Sequence, residues 1–236
     1  MQTTHIPYAA DGRQMIGTLS VGKGVGKRPA ILIAHEGPGL DDHARAVAAR
    51  LAELGFIAFA LDYNGGGQWL PDRAQMMARI GELSAAPDRI VALGQAGLDI
   101  LLAQPEADAT RVAAIGYCFG GTMALHMARA GLDLKAAVGF HSGLGTAAPA
   151  APGAIKAKVL ALIGADDPIV PAAQRDAFVA EMTAAKADWQ LHLYGGVQHS
   201  FTNPAADRLA MPGIAYNAAA DHRAWTSMIA LFHEVF

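Results

Sequence analysis

Six residues near the middle of the chain, Gly116-Tyr117-Cys118-Phe119-Gly120-Gly121, leave the backbone few options. They follow an apolar run over 112–117 that reads as a buried strand, and they open a helical stretch over about 119–130. A chain that passes from strand to helix in so few residues must turn sharply, and glycines on both sides let the two elements approach closely. The central side chain, Cys118, then projects above the sheet. At a helix N-terminus the unpaired N–H groups and the helix dipole favour its thiolate, and the Phe119 N–H is placed to bind an oxyanion. The plainer alternative is a buried structural cysteine beside tightly packed glycines.

The flanking pattern repeats strand, helix, strand. Extended stretches at 2–9 and 14–21 flank Asp11-Gly12, a turn pair suited to a hairpin, so antiparallel edge strands are expected at the start. Strands are then expected at 29–35, 56–61, 112–117, 136–141, 159–163 and 189–193. Helices are expected near 42–54, 87–103, 119–130 and 172–185, and from 217 to the C-terminus. That alternation specifies an α/β fold, a mostly parallel central sheet with helices on both faces. The segments 65–85 and 204–216 read as irregular connections. No linker or repeat divides the chain, so one domain spanning 1–236 is expected.

Composition narrows the partners. Hydrophobic residues make up 53% and charged residues 17%, against about 25% charged in typical domains, so a sizeable core is affordable and disorder is excluded. A net charge of -3 with no basic run argues against nucleic acid. No apolar run approaches the roughly 20 residues of a membrane span, and the N-terminus lacks the pattern of a signal peptide. The single cysteine rules out an intrachain disulfide or a thiolate-rich metal site, and suits a reducing cytoplasm. Exposed apolar segments are compatible with a homodimer.

A nucleophile in this setting needs a base and an acid that orients it, in the order nucleophile, acid, histidine. Asp167 and His199 follow Cys118 in that order, each directly after an apolar strand. Open α/β sheets assemble their sites at that strand edge. Asp166 competes with Asp167, but Asp167 immediately precedes Pro168-Ile169-Val170-Pro171, whose prolines stiffen the loop. His126 and His192 read as packing or surface groups. Glu36 follows the first buried strand, where a carboxylate among apolar groups can trade protons with a thiol.

These residues, with His199-Ser200-Phe201 and the Val-Pro pair after Asp167, resemble the dienelactone hydrolases of the α/β-hydrolase superfamily, over nearly the whole chain. The resemblance implies an α/β-hydrolase fold with Cys118 as nucleophile, His199 as base and Asp167 as its orienter. Glu36 inherits contact with the resting thiol, and Gly37 supplies the second oxyanion N–H beside Phe119. The implied activity is cleavage of a small ester or lactone through a thioester, with no metal or other cofactor. Metagenome-derived members that the chain resembles suggest phosphotriester hydrolysis as a side activity. Members that cleave dienelactone hold its carboxylate with arginines, one of them four residues past the histidine, where this chain has Asn203. Arg73 or Arg79 could replace part of that charge. A pocket lined by Trp69, Phe119, Met76 or Met77 would favour neutral aryl or short acyl esters.

Three other readings are weaker. His35, Glu36, Asp41, Asp42 and His43 could ligate a metal, but Gly37-Pro38-Gly39 breaks the helix that H-E-x-x-H spacing needs. The glycine-rich runs at 22–27 and 65–67 lack the strand, turn and helix context of a phosphate loop. A binding module or a thiol redox sensor on the same fold is the remaining class. The ordered Cys, Asp and His argue against the first, and the lack of a resolving cysteine argues against the second.

Overall fold

The computed structural model describes residues 1–70 and 72–236, together with all their side chains except that of Leu209. Pro71, part of the irregular segment 65–85, lies outside the described residues. Eight strands form one sheet: β1 (Gln2–Ala10), β2 (Arg13–Val21), β3 (Arg28–Ala34), β4 (Ile57–Leu61), β5 (Ala107–Tyr117), β6 (Ala136–Phe140), β7 (Lys158–Gly164) and β8 (Trp189–Tyr194). Their spatial order is β1-β2-β4-β3-β5-β6-β7-β8. The hairpin β1-β2 pairs antiparallel to β4, and the remaining neighbours are all parallel.

The helices are α1 (Asp42–Glu53), α2 (Arg73–Ser84), α3 (Pro87–Leu102), α4 (Phe119–Arg129), α5 (Ala172–Ala184) and α6 (Ala218–Val235). Strand side chains alternate between faces, so β3 sends Ala30, Leu32 and Ala34 into one core and Ile31 and Ile33 into the other. The first core is closed by α3, α4 and α5 through residues such as Leu93, Met123 and Phe178. The second is closed by α1 and α6 through Val47, Leu51, Met228 and Phe232. Helices therefore cover both faces, as the buried apolar runs of the central parallel strands require, while edge strand β8 stays partly exposed. No helix among the described residues is long and apolar enough to cross a membrane.

Two elements differ from the sequence expectation. Residues 73–84 of the supposedly irregular segment form α2, which buries only Arg79 and Leu83 and so shows no apolar period. The legible signal was Asp72 followed by Gln75, a capping pattern, and Asp72 does accept from the Ala74 N–H. β5 also begins five residues earlier than expected, at Ala107. Its register against β3 shifts between Pro29 and Ala30, where Asp108 bonds the Thr110 N–H and the Arg111 guanidinium.

The turn after β5 is packed to its limit. A Cβ on Gly116 would lie 2.1 Å from the Gly120 carbonyl oxygen, and one on Gly120 would lie 2.2 Å from the Ala34 oxygen. Both obstacles are backbone. Gly120→Ala is therefore expected to cost about 3 kcal/mol or more. Gly81→Ala in α2, with open space around its Cβ, is expected to be neutral or stabilising by up to about 1 kcal/mol. Urea denaturation of the two variants checks the contrast.

Candidate active site

Every strand that contributes to the site does so from its C-terminal end. Cys118 follows β5 at φ 52° and ψ -120°, a left-handed conformation that a cysteine adopts only under constraint. Its carbonyl accepts from the Gly121 and Thr122 N–H groups, which begins α4. Its N–H donates to the Phe140 carbonyl at 3.0 Å and to His141 Nδ1 at 3.2 Å. The thiol is half-buried. As the first residue of α4, Phe119 has an N–H with no intrahelical acceptor, next to the thiol.

Asp167 follows β7 and His199 follows β8, and a close approach joins their loops. A Cβ on Gly164 would sit 2.3 Å from the Val197 oxygen, and the Asp166 N–H donates to that same carbonyl. His199 Nδ1 donates to Asp167 Oδ2 at 2.7 Å, with both side chains buried. Asp167 Oδ1 accepts from the Ile169 N–H, which fixes the carboxylate. Asp166 is exposed. The connection at 204–216 contains a 3-10 turn, Ala206–Leu209, and then clamps His199. The His199 N–H donates to the Gly213 oxygen, and the Ala215 N–H donates to the His199 oxygen.

Because Nδ1 is committed to Asp167, Nε2 of His199 is the atom left for chemistry, and it has no hydrogen-bond partner of full geometry among the described residues. Burial opposes a charge on this ring. The nearby Cys118 sulfur and the Asp167 carboxylate outweigh that opposition, and the pKa of His199 is pushed up to about 10.

Glu36 follows β3 and is buried, with Asn203 Nδ2 donating to Oε2 at 3.0 Å. Its Oε1 has no partner among the described residues and lies 3.8 Å from His141 Nε2. The surroundings are thus polar, not the apolar pocket expected. Asn203 is turned inward to Glu36 with its amide committed, so it positions a carboxylate and does not face an open pocket. Arg79 is also withdrawn from ligand binding: it is buried and bonds Asp11, Glu82 and the Tyr63 carbonyl. Arg73 and Met77 are exposed on α2. Met76 is half-buried, with its sulfur 3.4 Å from where a Gly37 Cβ would stand. Trp69 is 41% exposed and bridges Gly39. Of the substrate-binding candidates, Trp69 and Met76 therefore border the Gly37 loop.

His141, read from sequence only as the end of a strand, is part of the site. It is fully buried at φ 39°, with its ring 5.1 Å from that of His199. Since Nδ1 accepts from Cys118, Nε2 carries the proton and donates to Thr202 Oγ1 at 2.9 Å. Burial, with His199 and His43 adding to it, holds its pKa well below the ordinary value, so the ring is neutral. The positive φ could have been suspected from His141-Ser142-Gly143 after an apolar strand, but not the partners.

The residues behind the weaker readings are spent elsewhere. Asp41 caps α1, His43 packs edge-on against Tyr117, and the Gly65 and Gly67 N–H groups donate to Asp62.

A mostly parallel sheet with a Cys elbow, and with Asp and His delivered by the following strand ends, defines the α/β-hydrolase fold. Residues 15–236 match the Dienelactone hydrolase family, and the chain belongs to it, a dienelactone hydrolase-like hydrolase. The solved structure named m3DLH is 44% identical, with TM-score 0.94, covering 100% of this chain and 98% of that one. A crystal structure described as the dienelactone hydrolase-like promiscuous phosphotriesterase P91, from metagenomic libraries, is 39% identical. Its TM-score is 0.92, again covering 100% and 98%. Protein usf of Aquifex pyrophilus is 26% identical over 235 residues, 97% of each chain.

The His199 pKa has a measurable consequence. A folded-state value of about 10, above the ordinary 6.5, stabilises the fold fully below pH 6.5, and this contribution fades as pH rises towards 10. NMR titration of the His199 ring should give a midpoint far above 6.5 in the wild type and a lower one in Cys118→Ala. Equal midpoints would show that the sulfur does not act on the ring.

Proposed function

We propose that the protein hydrolyses small carboxylic esters or lactones through a Cys118-His199-Asp167 triad. The observation that carries this reading is the elbow cysteine near a histidine whose Nδ1 is held by Asp167 at 2.7 Å, which leaves Nε2 without another partner among the described residues. The thiolate attacks the carbonyl carbon, and the Phe119 and Gly37 N–H groups hold the oxygen as it becomes negative. His199, protonated at neutral pH by its raised pKa, gives its proton to the departing alkoxide, which leaves a thioester on Cys118. A water molecule then attacks the thioester while His199 takes its proton, and the acid departs with regeneration of the thiolate. Every step uses groups of the chain. Glu36, buried with one oxygen that has no partner among the described residues, is the carboxylate assigned to contact the resting thiol.

Neutral aryl or short acyl esters are the favoured substrates. Arg79 is occupied and Asn203 stands inward, so neither is offered to a substrate carboxylate, and of the arginine candidates this leaves exposed Arg73. The likeness to P91 favours aryl phosphotriesters as a side substrate of the same thiolate. A lone cysteine fits a cytoplasmic enzyme.

Hydrolysis of a neutral p-nitrophenyl ester, with and without chelator, tests the reading. Turnover should be indifferent to chelator and fall by about 1,000-fold or more in Cys118→Ala, with any phosphotriester activity lost alongside it. Ester activity that survives without the thiol would overturn the triad, and phosphotriester activity that survives alone would show a separate site.

A further inference from the structure

The peptide that carries the Gly37 N–H is held from behind by groups that play no part in the reaction as written. In a trans peptide the carbonyl of one residue and the N–H of the next point in opposite directions, so whatever grips the Glu36 oxygen also aims the Gly37 N–H. Three donors converge on that oxygen. His35 Nδ1 lies 2.5 Å away, the Tyr63 hydroxyl 2.9 Å, and the Gly39 N–H 3.2 Å. The Tyr63 hydroxyl also lies 3.1 Å from the His35 oxygen, so one phenol spans two successive carbonyls.

The donors are themselves fixed. His35 must carry its proton on Nδ1, because a carbonyl only accepts, and its Nε2 accepts from the Tyr63 N–H at 3.3 Å. The two rings stack with centroids 3.8 Å apart and are fully buried. The Tyr63 carbonyl is anchored by Arg79, which is paired with Asp11 in the β1-β2 turn. Burial keeps His35 neutral, with a pKa down at about 4, and keeps the Tyr63 phenol protonated. On the other side, Gly37 is roofed by α2, since a Cβ there would lie 2.7 Å from Ile80 Cδ1.

We infer that His35 and Tyr63 are positioning residues that lock the 36–37 peptide, so that the Gly37 N–H is directed at the substrate oxygen before any substrate arrives. The inference rests on the proposed triad and on Gly37 as an oxyanion donor. A preset donor does not reorganise when charge develops, which is where such a group lowers the barrier. Tyr63 and His35 touch no reacting atom. They should matter only to a reaction that creates an oxyanion.

Two reactions of the same thiol separate that role from a merely structural one. Acyl transfer from a p-nitrophenyl ester builds an oxyanion, whereas alkylation of Cys118 by iodoacetamide displaces iodide and builds none at a carbonyl. Tyr63→Phe keeps the ring stack and removes only the hydroxyl. It should lower kcat by about 10-fold or more, with KM and the alkylation rate each within about twofold of wild type. His35→Asn, which can still present an N–H near the position of Nδ1, should retain more turnover than His35→Ala. Cys118-dependent ester turnover that is indifferent to Tyr63→Phe overturns the inference, and so does alkylation that falls in step with turnover. Turnover that is absent from the wild type, or that persists in Cys118→Ala, overturns the underlying reading and this inference with it.

Discussion

The site depends on a contact that side chains would forbid. β3, β5 and the start of α4 meet so closely that Cβ atoms at Gly116 and Gly120 would stand on neighbouring backbone oxygens. That approach is what drives Cys118 into a left-handed conformation, and the conformation lifts the thiol out of the sheet at the mouth of a helix. Strain of this kind costs about 1 to 3 kcal/mol and persists only where packing over-determines it. Here the Cys118 N–H and carbonyl are both bonded, the first to β6 and the loop after it, the second to α4.

From that point the sheet acts as a ruler. Parallel strands end along a common edge, so residues distant in sequence arrive at one place: Glu36 after β3, Tyr63 after β4, Cys118 after β5, His141 after β6, Asp167 after β7 and His199 after β8. Their roles separate by what each side chain can still do. Asp167 and His141 have spent their hydrogen bonds on holding a neighbour, while among the described residues His199 Nε2 and Glu36 Oε1 remain unpartnered. Buried polar atoms left unsatisfied are costly, and they gather where chemistry is done.

Side-chain hydrogen bonds to backbone groups order the surrounding loops. Asp62 collects the N–H groups of Ile16, Asn64, Gly65 and Gly67, which ties the loop after β4 to the hairpin. Arg79 joins that hairpin to Tyr63, and Tyr63 grips the Gly37 loop. An arginine that could have met a substrate carboxylate thus serves the scaffold, while Trp69 and Met76 border the Gly37 loop.

Much of this was legible in the residues alone. The order of strands and helices followed from apolar runs and turn residues, because burial on both faces demands apolar strands and glycines mark turns. Cys118, Asp167 and His199 stood out because each follows a strand, and a strand end needs no contact information to be located. α2 was missed because it buries too little to show a period, and His141 because nothing local distinguishes a buried histidine that holds a neighbour's N–H from one that merely packs. The inward turn of Asn203 and the capture of Arg79 were decided only in three dimensions. Adjacent or flexible side chains share the same sequence context, and what separates them is the direction in which the folded backbone points each one and the partner it finds there.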